Sequence, residues 1–366
     1  MIRIAQPEIG PEEIAAVNEV MQSGILAQGA RVAQLEEDFA RYCGTKYAVA
    51  VNSGTAAIHA ALHAAGIKEG DEVITVPFSF IATINPILMV GATPVLVDIN
   101  PATFSMDPSK LKAAITQKTK AIIPVHLYGQ VVDWDEIHEI AKEHNLVVIE
   151  DACQAVGSEY KNIKAGNLGA LGCFSLYATK NIMSGEGGII TTNDEAYMTK
   201  LKQFRQHGMS APYVYEELGF NYRLTDLQAA IAIEQLKKVE RFTTARQTNA
   251  QLLSEGLKDV SGITLPTIAD SRNHVFHQYT IRISPELGIS RDDFVKALQE
   301  REVGAGVYYP RALHSYPHIQ KLGYKMGDFP ESERAAAEVV SLPVHPHVTK
   351  EDVKTIVDVV KEVVHA

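Results

Sequence analysis

The spacing of apolar residues changes regularly along this chain, and the changes mark an alternation of helix and strand. Residues 11 to 23 open with Pro11 at a first helical position, carry acids in the first turn and stop at Gly24. After the loop GILAQGA, the residues Val32, Leu35, Phe39 and Tyr42 form the stripe of a second amphipathic helix, which Gly44 ends. The period then shortens: YAVAV (47 to 51) reads as a buried strand, NSGT (52 to 55) as a turn and AAIHAALHAAG (56 to 66) as a helix. EVITV (72 to 76), TPVLV (93 to 97), AIIPV (121 to 125) and LVVIE (146 to 150) read as strands buried on both faces, with helical segments between them. That alternation predicts right-handed crossovers and a mostly parallel sheet covered by helices, with ligands held at the carboxyl ends of the strands.

Gly185 to Gly188 lead into a strand, GIITT, and a helix to about Gln206. A single long helix is expected from Thr225 to about Leu257. Beyond it, strand-like TLPT and HQYTIRI and the helical RDDFVKALQERE and KEDVKTIVDVVKEVV resemble a smaller α+β unit. The expected organisation is an N-terminal arm and helix (1–30), a large α/β domain (31–240) and a small C-terminal α+β domain (241–366), which 366 residues can supply.

Composition narrows the function classes. A formal net charge of −10 with no Lys/Arg block argues against nucleic acid or an acidic membrane surface as partner. Cys43, Cys153 and Cys173 follow no metal spacing and predict reduced thiols. MIRIAQPEIG lacks the regions of a signal peptide, and apolar runs fall short of a membrane span, so a cytoplasmic location is expected.

The candidate chemistry centres on FSLYATKNIMSGEGG, residues 174 to 188. Lys180 stands among apolar and aromatic residues just before a run of glycines; burial there lowers an amine's pKa and leaves it nucleophilic toward carbonyls, although a lysine can also snorkel to water. Ser53-Gly54-Thr55, between strand and helix, can bind an anion with backbone N–H groups or simply cap the helix. Asp151 ends the strand LVVIED, where a carboxylate can meet a pyridine nitrogen or cap the next turn. Gln154 can reach a phenolic oxygen, Phe80 can stack on a flat ring or fill the core, and Ser175 adds a hydroxyl for a phosphate. No GxGxxG follows a strand and no GxxxxGK[ST] occurs. His138 and His144 are six residues apart and fall on different helix faces, and His345 and His347 lack partners, so no metal is expected.

The segments NSGTAAIHAAL, VPFSFIAT, PVHLYGQ, IEDACQAVGSEY, CFSLYATKNIMSGEGGIITT and GFNYRLTDLQAAI, in this order, resemble the DegT/DnrJ/EryC1/StrS sugar aminotransferases. The resemblance covers nearly the whole chain and implies a fold-type I pyridoxal-phosphate (PLP) enzyme. By resemblance, Lys180 forms the Schiff base, Asp151 pairs with the pyridine nitrogen, Gln154 with the ring oxygen, and Phe80 stacks. Gly54, Thr55 and Ser175 hold the phosphate, and Asn221 is lent to the partner's phosphate across a homodimer. Arg205, His207, Tyr308, Tyr309, Arg311, His314 and Lys325 are candidates for gripping the second substrate, each with a bland alternative as a surface or interdomain contact. Ile25-Leu26 and Val156 depart from the family pattern at the expected sugar pocket.

The resemblance further implies ping-pong transfer of an amino group from L-glutamate to a keto sugar, expected to be linked to a nucleotide (UDP, dTDP or GDP) and to carry its ketone at carbon 3 or 4. Two readings stand beside it: a PLP enzyme of the same fold acting on a cyclitol or another keto acceptor, and a non-catalytic nucleotide-binding or regulatory α/β protein. A third, sugar dehydration, replaces this lysine by histidine in that branch of relatives, and Lys180 argues against it.

Overall fold

The computed structural model describes residues 1–365. Its centre is a seven-stranded sheet. In chain order the strands are β1 (Tyr47–Val51), β2 (Glu72–Thr75), β3 (Thr93–Leu96), β4 (Thr119–Ile122), β5 (Val147–Asp151), β6 (Leu171–Ser175) and β7 (Gly188–Thr192). Their spatial order is β1-β7-β6-β5-β4-β2-β3. Pairs within the run β3, β2, β4, β5 and β6 are parallel, while β7 is antiparallel to both its neighbours. The expected mostly parallel, helix-covered α/β sheet is therefore present, with one reversed strand.

Each face is covered by helices whose apolar stripes meet the strands. Against one face pack Val32, Leu35 and Phe39 of Ala30–Cys43, Ile137 of Trp134–Glu143 and Ile233 of Asp226–Lys237. The other face receives the helix Gly54–Ala64, alanine-rich and buried almost throughout. A third core, built from Leu253, Tyr279, Phe294, Val340 and Ile356 among others, belongs to a small antiparallel sheet (Ile263–Thr264, Tyr279–Ile283, Val339–Leu342) and its helices.

Three structural points go beyond the sequence reading. The expected single helix from Thr225 is two, Asp226–Lys237 and Val239–Leu257, meeting at Lys238. The first lies against the N-terminal helices and the second against Lys350–His365, two demands that one straight rod does not meet. Lys238 at the break puts its Nζ 2.8 Å from buried Glu13, which also accepts from Gln235 on the first helix. Second, Leu313, Ile319 and Phe329 pack on Ile84 and Leu96, so part of the C-terminal region docks on the edge of the large sheet. Third, Ile2 bridges Val303, bringing the first residues to the small unit.

Candidate active site

The ends of five strands and two segments from the small unit, at His277–Gln278 and Tyr308–Tyr309, enclose a cavity of about 490 Å³. Gly54, Thr55, Phe80, Asp151, Gln154, Ser175, Lys180, Tyr308 and Tyr309 line it, which unites most of the residues singled out in the sequence.

After β1, Ser53 caps the helix Gly54–Ala64, its Oγ accepting the N–H of Ala56 at 3.1 Å. Among the described residues the N–H groups of Gly54 and Thr55 have no protein partner, so the helix presents free donors at its positive end. Gly54 is required by closeness: a Cβ there would sit 2.9 Å from the Cβ of Ser175 and 3.1 Å from the Sγ of Cys153. Ser175, the last residue of β6, adds its hydroxyl to this end of the cavity.

Asp151, the last residue of β5, is 5% exposed. Its Oδ2 accepts the hydroxyl of Thr83 at 2.7 Å and its Oδ1 the N–H of Cys153 at 3.2 Å. Gln154 is fixed at both ends: Oε1 accepts the N–H of Tyr128 at 2.9 Å, and Nε2 donates to the hydroxyl of Tyr309 at 3.0 Å. Burial pushes the Tyr309 phenol above its ordinary pKa, so it stays a neutral donor and acceptor. Phe80 remains 54% exposed on the cavity wall, its ring centroid 5.8 Å from that of Tyr309.

Lys180 stands in the loop between β6 and β7. The ladder of these strands continues past them, Leu176 N–H donating to Gly187 O at 2.8 Å and Ala178 N–H to Gly185 O at 2.9 Å. Desolvation holds the Lys180 amine below the ordinary lysine pKa, with Cys153 and Asp151 pulling the other way.

Other expected residues lie away from this cavity. Arg205 is 4% exposed, and its guanidinium is bonded to Glu36 and, at 2.6 Å, to the carbonyl of Ala50. His207 is exposed with φ of 60°, and Asn221 is exposed beside Gln206. Arg311 lines a second cavity of about 550 Å³ together with Pro310 and Ala312. His314 is buried against Glu333 at 2.9 Å, and Lys325 is exposed. Conversely, Ser79, Thr83, Cys153, Tyr177, Glu186, His277 and Gln278 line the main cavity without having been singled out for it. His277 is held at 3.1 Å by Asn181, one residue from the lysine. Burial keeps this imidazole well below its ordinary pKa and hence neutral.

A sequence profile of the DegT/DnrJ/EryC1/StrS aminotransferase family matches residues 7–361. The chain belongs to this family. Among its relatives are the GDP-perosamine synthase of Caulobacter vibrioides (40% identical, covering 99% of this chain and 98% of the relative) and the "pleiotropic regulatory protein" of Geobacillus stearothermophilus (44%, covering 97% and 95%). The structure of DesV from S. venezuelae superposes with a TM-score of 0.93 at 34% identity, covering 97% of this chain and 95% of that one. Helicobacter pylori PseC, an aminotransferase involved in pseudoaminic acid biosynthesis, superposes with a TM-score of 0.94 at 30% identity, covering 100% and 99%. The chain is thus an enzyme of the sugar aminotransferase type with the fold that the resemblance implied, and its family depends on PLP. The residues present fit that cofactor: free N–H donors beside two hydroxyls for a phosphate, an aromatic face, a buried carboxylate and an amine.

Proposed function

We propose that this protein transfers an amino group from L-glutamate to a keto sugar linked to a nucleotide, in two half-reactions at the one cavity. When bound, PLP supplies an aldehyde that carries the amino group and a ring that withdraws electrons from the bond being broken. The chain's own residues do the rest. The N–H groups of Gly54 and Thr55 and the hydroxyl of Ser175 hold the phosphate end, Phe80 covers the ring, and Asp151 and Gln154 orient it through its nitrogen and oxygen. The Lys180 amine, desolvated as described, takes a proton from the donor's Cα and returns it to the carbon on the other side of the amino nitrogen, two atoms away; the second half-reaction reverses the movement. We assign Tyr308 and Tyr309, which line the same cavity, to contact with the acceptor sugar.

One observation carries the reading: an amine held below its ordinary pKa shares a cavity with a buried carboxylate and an anion cradle that only glycine at position 54 permits. The names of the Caulobacter, S. venezuelae and Helicobacter relatives support the sugar as acceptor. A regulatory role, as the Geobacillus relative's name suggests, would leave this arrangement without a use. We further assign Asn221 to the partner's phosphate in a homodimer: it is exposed and does not line its own chain's cavity. Among the described residues no helix is long and apolar enough to cross a membrane, and we place the enzyme in the cytoplasm.

The test is to incubate the protein with glutamate and a panel of nucleotide-linked 3-keto and 4-keto sugars, following release of 2-oxoglutarate. Turnover with at least one sugar, lost in Lys180→Ala, is expected. Turnover that survives in Lys180→Ala contradicts the assignment.

A further inference from the structure

Asp151 is not fixed by its strand alone. Beneath Phe80 the chain makes a tight turn, Thr83 N–H donating to Phe80 O at 3.0 Å, which leaves Phe80 exposed on the cavity wall and Thr83 1% exposed behind it. The hydroxyl of Thr83 donates to Asp151 Oδ2 at 2.7 Å, and Ser79 Oγ, 2% exposed, lies 2.8 Å from Thr83 Oγ1. The direction of this chain follows by elimination. The single hydroxyl proton of Thr83 is committed to the carboxylate, so the proton between the two hydroxyls must come from Ser79. Ser79 to Thr83 to Asp151 is therefore a one-way relay of donors, each bond polarising the next. The other carboxylate oxygen has a main-chain donor, Cys153 N–H, at 3.2 Å.

We infer that Thr83, backed by Ser79, is a positioning residue that sets the plane of the Asp151 carboxylate, and through it the electron demand of the ring that the carboxylate would face. With one lone pair of Oδ2 taken by Thr83 and one of Oδ1 by Cys153, the plane of the carboxylate is held from two sides, and one lone pair on each oxygen remains for the cavity. Thr83 is buried, and its hydroxyl reaches the acid. The same turn thus supplies the face that covers the ring and the anchor of the group that meets its edge.

This inference rests on the cofactor reading above, and the experiment separates the two. Wild type, Thr83→Val, Thr83→Ser and Ser79→Ala are loaded with PLP, and the visible absorption band is titrated with pH alongside steady-state kinetics with glutamate. Valine keeps the shape of threonine and removes the donor. Thr83→Val should move the absorption midpoint by about one pH unit, the size one hydrogen bond to a charged group can supply. It should also lower kcat by about tenfold with little change in KM, since the carboxylate acts on the reacting ring and not on substrate capture. Thr83→Ser should restore both, and Ser79→Ala should move both in the same sense by a smaller amount. An unmoved midpoint in a folded Thr83→Val protein, or no recovery in Thr83→Ser, overturns the inference. If Thr83→Val does not fold, an unmoved midpoint in Ser79→Ala does so. A wild-type protein that shows no such band when mixed with PLP instead defeats the cofactor reading itself.

Discussion

The backbone of Gly54 passes so close to Ser175 that a methyl group on it would lie 2.9 Å from the serine Cβ. The two residues come from the start of a helix and the end of a strand far apart in sequence, and they meet at the end of the cavity to which we assign the phosphate. Gly54→Ala is therefore expected to push the helix start away from β6. The expected outcome is a loss of PLP affinity of about tenfold or more, with a stability loss of about 1–3 kcal/mol from overpacking. Fluorescence titration of the cofactor-free protein and urea unfolding measure the two effects.

Lys180 predicts a pH effect on the cofactor-free protein. Its pKa is lowered on folding, so between the folded and unfolded values the unfolded chain binds more protons. The resulting destabilisation is fully present below the folded pKa and disappears as pH rises to the ordinary lysine value. Lys180→Met should accordingly raise Tm, by on the order of 2 °C at neutral pH, and the gain should vanish as pH approaches about 10.4. A calorimetric series over pH checks both the gain and its direction.

Glu150, adjacent to Asp151, is wholly buried and faces the opposite side of the strand. It accepts from His126 Nε2 at 2.9 Å and from the N–H groups of Gly166, Leu168 and Gly169 at 2.8, 2.9 and 2.7 Å. Glu150→Ala would leave those donors unpaired and is expected to cost about 3–5 kcal/mol. Urea unfolding should show this in the midpoint, and the soluble yield should fall with it.

Arg205 is expected to act in stability and not in substrate capture. Its guanidinium joins Glu36 and Ala50 at one end of β1, behind the cavity. Arg205→Ala leaves a buried carboxylate unpaired and should cost about 3–5 kcal/mol, while the KM for either substrate in the folded fraction stays within about twofold. A large rise in the sugar KM without loss of stability would return Arg205 to the substrate side.

What could be seen in the sequence depended on whether neighbours in the chain settle a residue's surroundings. β5 announces itself as an apolar run, and its end places Asp151; the glycines after Lys180 announce a turn. Ser79 and Thr83 were harder, because small hydroxyls within FSFIAT look like spacers until Asp151 arrives from another strand. His277 is brought by the small unit, and nothing in HQYTIRI reveals that Asn181 will hold it. The break at Lys238 has no glycine or proline to mark it, since its cause lies in what the two helices pack against. Arg205 looked like a grip for an anion because its acidic partner, Glu36, sits on a distant helix.

The placement of Lys180 has one more consequence. Its loop joins two strands that are antiparallel neighbours, and main-chain bonds clamp the loop as far as Ala178 on one side and Gly185 on the other. The backbone beneath the amine is thus a fixed pivot. Whatever distance the nitrogen must travel between one task and the next is covered by rotation about the four methylenes of its own side chain, like a jib swinging on a bolted post.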